Sequence, residues 1–312
     1  MARAKWFEKF SATTPTHVAA QRVVLERLNN TRGRIAAAAR APAVDPEPVH
    51  QLRVASRRLA AAVSIFRGFL DDSLRRKLRR AARRVRRAAG EVRDLDVQRI
   101  ALARVLEAHG RVLTPEGVAL AGALTRRRAN AVRRMRRSLK KWKPRLDRRA
   151  REIRAEQAAT SMTVDGATER LATTADQVLG RRLREFRAAG EADLTSVERL
   201  HELRIAGKRL RYSMEVFAAC YPASFRSELY ATVEAVQTEL GEINDLTTLL
   251  EKLDGLHDID AGEAGSGQVQ ALIDELRAGL AGELHARQQR FVCEWGQRHG
   301  DFEQRFVQLL AS

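Results

Sequence analysis

Residues 50–58 read HQLRVASRR, and 151 positions later residues 201–209 read HELRIAGKR. On a helix turning about 100° per residue, with His50 at zero, Arg53 falls at about −60° and Arg57 at about −20°. Leu52, Ala55, Leu59, Ala62, Val63 and Phe66 fall between about 120° and 220°. One face is therefore cationic, and the opposite face must pack. The second copy divides in the same way. His201, Arg204, Lys208 and Arg211 share one face, and Leu203, Ala206, Leu210, Met214 and Phe217 share the other. Arg58 and Arg209 lie on the flank, about 80° from the histidine stripe. Like charges at adjacent turns cost helix stability unless an anion relieves them, and this chain repeats the arrangement. A solvated amphipathic face is the plainer alternative for either copy alone.

The repeat extends beyond the motif. Residues 50–66 and 201–217 align without gaps with 7 identities in 17, and GEVRDL (90–95) meets GEINDL (241–246) at the same offset of 151, with four identities in six. Two matches at one offset imply a duplicated unit of about 150 residues. The expectation is an all-α chain of two pseudo-symmetric helical bundles, each of about four or more long helices. The composition agrees: Ala, Leu, Arg, Glu and Gln dominate, and alternating β-branched runs are absent. The prolines and helix-period patterns predict helices at 16–40, 47–70, 72–89, 91–109, 115–142 and 145–157. In the second half they predict 167–189, 195–219, 223–240, 242–255, 267–286 and 288–311. TSMTVDGAT (160–168) reads as the divider between a bundle at 10–158 and one at 166–310, and DAGEAGSGQ (260–268) reads as an exposed loop.

Charge separates the halves. Through Glu156 there are 40 Lys+Arg and 14 Asp+Glu, a net of +26; the remainder has 17 and 25, a net of −8. The total of +18 points to an anionic partner, and the imbalance places the electrostatic work mainly in the first half. Arg outnumbers Lys 49 to 8. The planar arginine fork grips two phosphate or carboxylate oxygens at once, although a GC-rich genome accounts for the ratio equally well. In LRRKLRRAARRVRRAAGEVRDLD (74–96), Leu74, Leu78, Ala82, Val85, Ala89 and Val92 form the packing face, with Arg76, Arg79, Arg83, Arg86 and Arg87 on the other side. RRRANAVRRMRRSLKKWK (126–143) carries Arg127, Arg134, Arg137 and Lys141 along one stripe. Most partners of the first run are not basic: Arg79 aligns with Tyr230, Arg83 with Glu234 and Arg87 with Thr238. Packing symmetry therefore does not require those charges. Asp94 and its counterpart Asp245 are expected to orient the arginines; capping a helix start or holding a metal with His50 and His201 are the alternatives.

Other chemistry finds little support. There is no phosphate-binding G-x-x-x-x-G-K-[ST] loop and no G-x-S-x-G elbow. Catalytic residues and cofactors are not expected; the alternative is a metal-dependent phosphoanhydride hydrolase, its metal held by the motif histidines and aspartates. Aromatic residues are 5% of the chain and occupy apolar helix positions, which argues against a base-stacking platform. Nucleic acid is the second choice of partner, gripped by its backbone alone. Cys220 and Cys293 stand in no metal or redox spacing, the first ten residues lack the apolar stretch of a signal peptide, and no run is long enough to span a membrane. A cytoplasmic protein is expected.

VHQLRVASRRLAAAVSIF with GEVRDLDV, followed by LHELRIAGKRLRYSMEVF with GEINDL, resembles the CHAD family, the conserved histidine α-helical domain. The resemblance covers about 10–310 as a single domain of two repeats. It implies two bundles around a central basic cavity, binding of inorganic polyphosphate (with sulfate or phosphate as its stand-in in crystals) and association with polyphosphate granules. Carried over by position, it implies ligand contacts at His50, Arg53, Arg57, Arg58, His201, Arg204, Lys208 and Arg209. Helical geometry adds Arg76, Arg79, Arg83, Arg86, Arg134, Arg137 and Arg211. Asn244 and Thr247 stand where the first copy has Arg93 and Asp96, so the second half is expected to contribute less. Some family members carry a fused triphosphatase domain; this chain has no E-x-E-x-K motif, and that activity is not transferred.

Overall fold

The computed structural model describes residues 5–8, 10–41, 45–108, 110–160, 169–253 and 265–311. They form eight long helices: α1 (Thr16–Arg40), α2 (Glu47–Ile65), α3 (Asp72–Ala108), α4 (Pro115–Thr160), α5 (Leu171–Gly190), α6 (Val197–Phe217), α7 (Ala231–Leu253) and α8 (Ser266–Ala311). Among the described residues there is no β-strand. No helix of theirs is long and apolar enough to cross a membrane.

The helix starts follow the chemistry of their first turns. Pro48 sits in the first turn of α2, where a missing N–H costs no hydrogen bond. Ser196 caps α6 by accepting the Arg199 N–H at 3.2 Å. Several predicted breaks are absent. Residues 72–108 form one helix through Gly90, and 266–311 form one where two were expected. Pro144 lies inside α4. It is exposed, so the carbonyl it leaves without a helical partner faces water. The expected 223–240 helix begins as a π-helical stretch, Phe225–Tyr230, and passes into α7 without a break at Gly241. Val85, Ala89 and Val92 around Gly90, and Leu139 and Leu146 around Pro144, are buried, and this packing carries the two helices through the weak helix formers. The predicted divider lies outside the described residues except for Thr160, as does most of the predicted 260–268 loop.

The buried side chains form one contiguous core through both halves. Within each half, neighbours in sequence pack on one another; α2 on α6 joins the halves through the two motif helices, and α4 on α8 and α3 on α7 join them too. Phe66 and Phe217, which are aligned in the repeat, meet edge-to-face with centroids 5.8 Å apart. At the other end the chain start is fastened to the second half. The Thr16 N–H donates to the Glu169 carbonyl at 2.9 Å, the Leu171 N–H to Thr14 at 2.8 Å, and Thr16 Oγ1 lies 2.9 Å from Thr174 Oγ1.

Candidate anion-binding site

With their apolar faces committed to the core, α2 and α6 present their cationic faces at the junction with α3 and α7. There a cavity of about 380 Å³ is lined from α2 by His50, Arg53 and Arg57, and from α6 by His201 and Arg204. α3 contributes Arg93, Asp94 and Gln98, and α7 contributes Asn244, Asp245 and Thr248. The cations of both copies of the motif thus face one space. None of its lining residues is Phe, Tyr or Trp.

Arg53 is held where two neighbours allow it. Its Nη2 lies 3.7 Å from Asp94 Oδ1, and its guanidinium rests on α3 at Gly90, where an added Cβ would stand 2.8 Å from Nη1. This close approach is the physical reason for glycine in GEVRDL. Gly90→Ala is expected to raise intrinsic helix stability by up to about 1 kcal/mol while pushing Arg53 out of place. Thermal unfolding and an anion titration should therefore move in opposite directions.

The site is crowded with like charge. Burial, and then the Arg57 charge, lower the Arg53 pKa despite Asp94. Burial lowers that of Arg204, with Asp245 opposing and Arg57 and Arg53 adding to it. Arg204 Nε is buried without a hydrogen-bond partner. Burial, followed by Arg204 and Arg57, pushes Lys208 down to about 6. Burial and Arg93 hold His50 below the usual histidine value, so it is neutral at pH 7. His201 has a different neighbour: its Nδ1 donates to Asn244 Oδ1 at 3.1 Å, while the Asn244 amide donates to Thr248 at 3.4 Å. An array of cations with underused donors is a site for an oxyanion.

A second, wider cavity of about 760 Å³ adjoins the first between α3, α4 and the end of α7. Arg53 and Asp94 line both cavities. The outer one adds Arg86, Arg87, Arg127, Arg134 and Lys252. Arg134 is ion-paired with Glu91 across the α3–α4 contact, and Lys252 Nζ stands 3.5 Å from Asp94 Oδ2.

Several expected contacts lie elsewhere. Arg58 turns inward, its Nε and Nη2 donating to Glu215 at 2.8 and 2.9 Å. Its repeat partner Arg209 is exposed, because Ser64 stands where the second copy has Glu215. Arg211 lies 3.3 Å from Glu234, and Arg76 lies 3.8 Å from Asp72. Arg79, Arg83 and Arg137 are exposed. None of these lines either cavity, and Lys208 acts on the inner one from behind Arg204 and Arg57. Arg93, Gln98, Thr248 and Lys252 are among the lining residues that sequence reasoning did not single out. Arg93 was detectable, three residues beyond Gly90 in the second repeated segment. Lys252 carried no signal, since it aligns with Ala101. Among the described residues no three His, Cys, Asp or Glu side chains cluster as metal ligands do.

The model of the CHAD domain family matches residues 9–254. The chain belongs to the CHAD family. The crystal structure of the CHAD domain from the plant Ricinus communis is similar, with a TM-score of 0.70 and 22% identity over 95% of this chain and 97% of that one. PptA from Streptomyces chartreusis aligns with a TM-score of 0.56 and 16% identity over 91% of this chain and 100% of that one. At these identities the likenesses speak to the fold alone, and the first shows it to be that of a CHAD domain. No curated protein matches the chain.

Proposed function

We propose that this CHAD protein binds inorganic polyphosphate without cleaving it, in the cytoplasm and at polyphosphate granules. The observation that carries the reading is the convergence of Arg53 and Arg57 with Arg204 on one cavity, with His50 and His201 at its wall. In this reading Lys208 supplies field and a proton, Asp94 and Asp245 orient the cations, and Arg58 positions the helices. A linear oxyanion without bases suits a lining that offers no Phe, Tyr or Trp for stacking.

Competition between polyphosphate, RNA and DNA at matched phosphate concentration tests the proposal. Polyphosphate should win; equal competition by nucleic acid would replace it with backbone-only nucleic-acid binding. Affinity should fall with salt at a slope of about −3 in log–log form if four cations each neutralise a phosphate.

The pH dependence has a defined sign. In the free protein Lys208 loses its proton as pH rises through about 6, held down by burial, Arg204, Arg57 and Arg211 against Asp245. A bound polyanion raises that pKa. Affinity should therefore be level below about 6 and fall above it, by at most about tenfold per pH unit for one proton, until the pKa of the complex is reached. Lys208→Met should flatten the profile in calorimetric titrations across pH, and an unchanged profile would remove Lys208 from the account.

A further inference from the structure

Asp94 occupies an unusual place for an acid in a binding site for anions. One of its oxygens faces Arg53 at 3.7 Å and the other faces Lys252 at 3.5 Å. With Arg53 and Gln98, it forms the wall that the inner and outer cavities share. Lys252 comes from α7 and Arg53 from α2, so the carboxylate joins elements of both halves across α3. The outer cavity is itself cationic. Arg53, Arg86, Arg87, Arg127, Arg134 and Lys252 face Glu91, Asp94 and Glu251, six positive groups against three negative. Arg86 and Arg87 are exposed.

We propose that the two cavities form one path for a linear polyanion, and that the Asp94 carboxylate at their junction is an internal counter-ion that only a chain reaching both sides displaces. This rests on the polyphosphate reading above and adds to it a basis for chain-length selection.

The physical argument is one of effective concentration. Asp94 is tethered beside Arg53 and Lys252, so a small free phosphate competes for them against an anion that never leaves. A short anion gains only the inner cations. A longer chain gains Arg57 and Arg204 on one side and Arg86, Arg87 and Arg127 on the other, and its middle takes over Arg53 and Lys252. The released carboxylate is then repelled by the bound chain. The tether therefore penalises short anions most, as a repulsive element that discriminates between ligands.

The test compares wild type, Asp94→Asn and the outer double variant Arg87→Ala/Arg127→Ala. Each is titrated calorimetrically with tripolyphosphate and with long-chain polyphosphate at one salt concentration, and helical content is checked by circular dichroism. Asp94→Asn keeps the shape and removes the charge. It should raise tripolyphosphate affinity on the order of tenfold, the scale of one close charge interaction. Long-chain affinity should change much less, so the length preference narrows. The outer double variant should weaken long-chain binding and leave tripolyphosphate binding nearly unaltered.

Wild-type protein that binds long chains, together with an Asp94→Asn variant that keeps the wild-type length preference, overturns this inference and leaves the polyphosphate reading standing. The same holds if Asp94→Asn weakens both ligands equally, since Asp94 would then only orient Arg53. An outer double variant that binds long chains as wild type does removes the outer cavity from the path. Wild-type protein that binds no polyphosphate overturns both readings.

Discussion

Glu215→Ala is expected to destabilise the protein by about 3–5 kcal/mol, the cost of stripping one partner from a buried charge cluster. The Glu215 side chain is 1% exposed. It takes two hydrogen bonds from Arg58, lies 3.7 Å from the buried Arg27, and accepts the Tyr230 hydroxyl at 3.1 Å. Without it Arg58 loses its ion pair in the α1–α2–α6 contact, and Arg27 keeps only the weaker attraction of the exposed Glu26. Arg27 retains its 2.9 Å bond to the Lys5 carbonyl and its place over the Phe7 ring, which do not neutralise it. Chemical denaturation of wild type and variant measures the loss. A change below about 1 kcal/mol, the range of exposed pairs, would show that the cluster is hydrated and does not fix the contact between the motif helices. Glu215→Gln should also be costly, since it preserves shape and hydrogen bonding but removes the negative charge.

The second large effect concerns binding. Arg53→Glu/Arg204→Glu should lower polyphosphate affinity by at least about a thousandfold, since each reversal removes a desolvated charged contact and adds repulsion. Helical content should remain, because both side chains face the cavity and the core does not include them. Titration together with circular dichroism separates the outcomes. A folded variant that still binds would move the anion out of this cavity, and an unfolded one would make the two arginines structural.

Much of this was legible because a long helix converts spacing directly into faces. The 3.6-residue period sorted α2 and α6 into a packing side and a cationic side. The unbroken offset of 151 residues made His50, Arg53 and Arg57 counterparts of His201, Arg204 and Lys208. What was not legible depended on which neighbour each flank meets. Arg58 and Arg209 are identical in the repeat, yet one is buried on Glu215 and the other is exposed, because residue 64 is serine and residue 215 is glutamate. Arg76, Arg79, Arg83, Arg86 and Arg87 on α3 looked like a single surface, but of these five only Arg86 and Arg87 line a cavity. Helix continuity through Gly90 and Pro144 was misjudged because local propensity was weighed without the packing that overrides it.

The central claim is that two stripes written 151 residues apart serve one site. Its most direct test is calorimetric titration of long-chain polyphosphate against wild type and the two single reversals, Arg53→Glu and Arg204→Glu. If both halves grip the same segment of anion, either reversal alone removes most of the affinity, and the double variant loses less than the sum of the two. If one reversal leaves affinity unchanged, or if the two losses add as independent sites do, the stripes do not share a ligand and the account is contradicted.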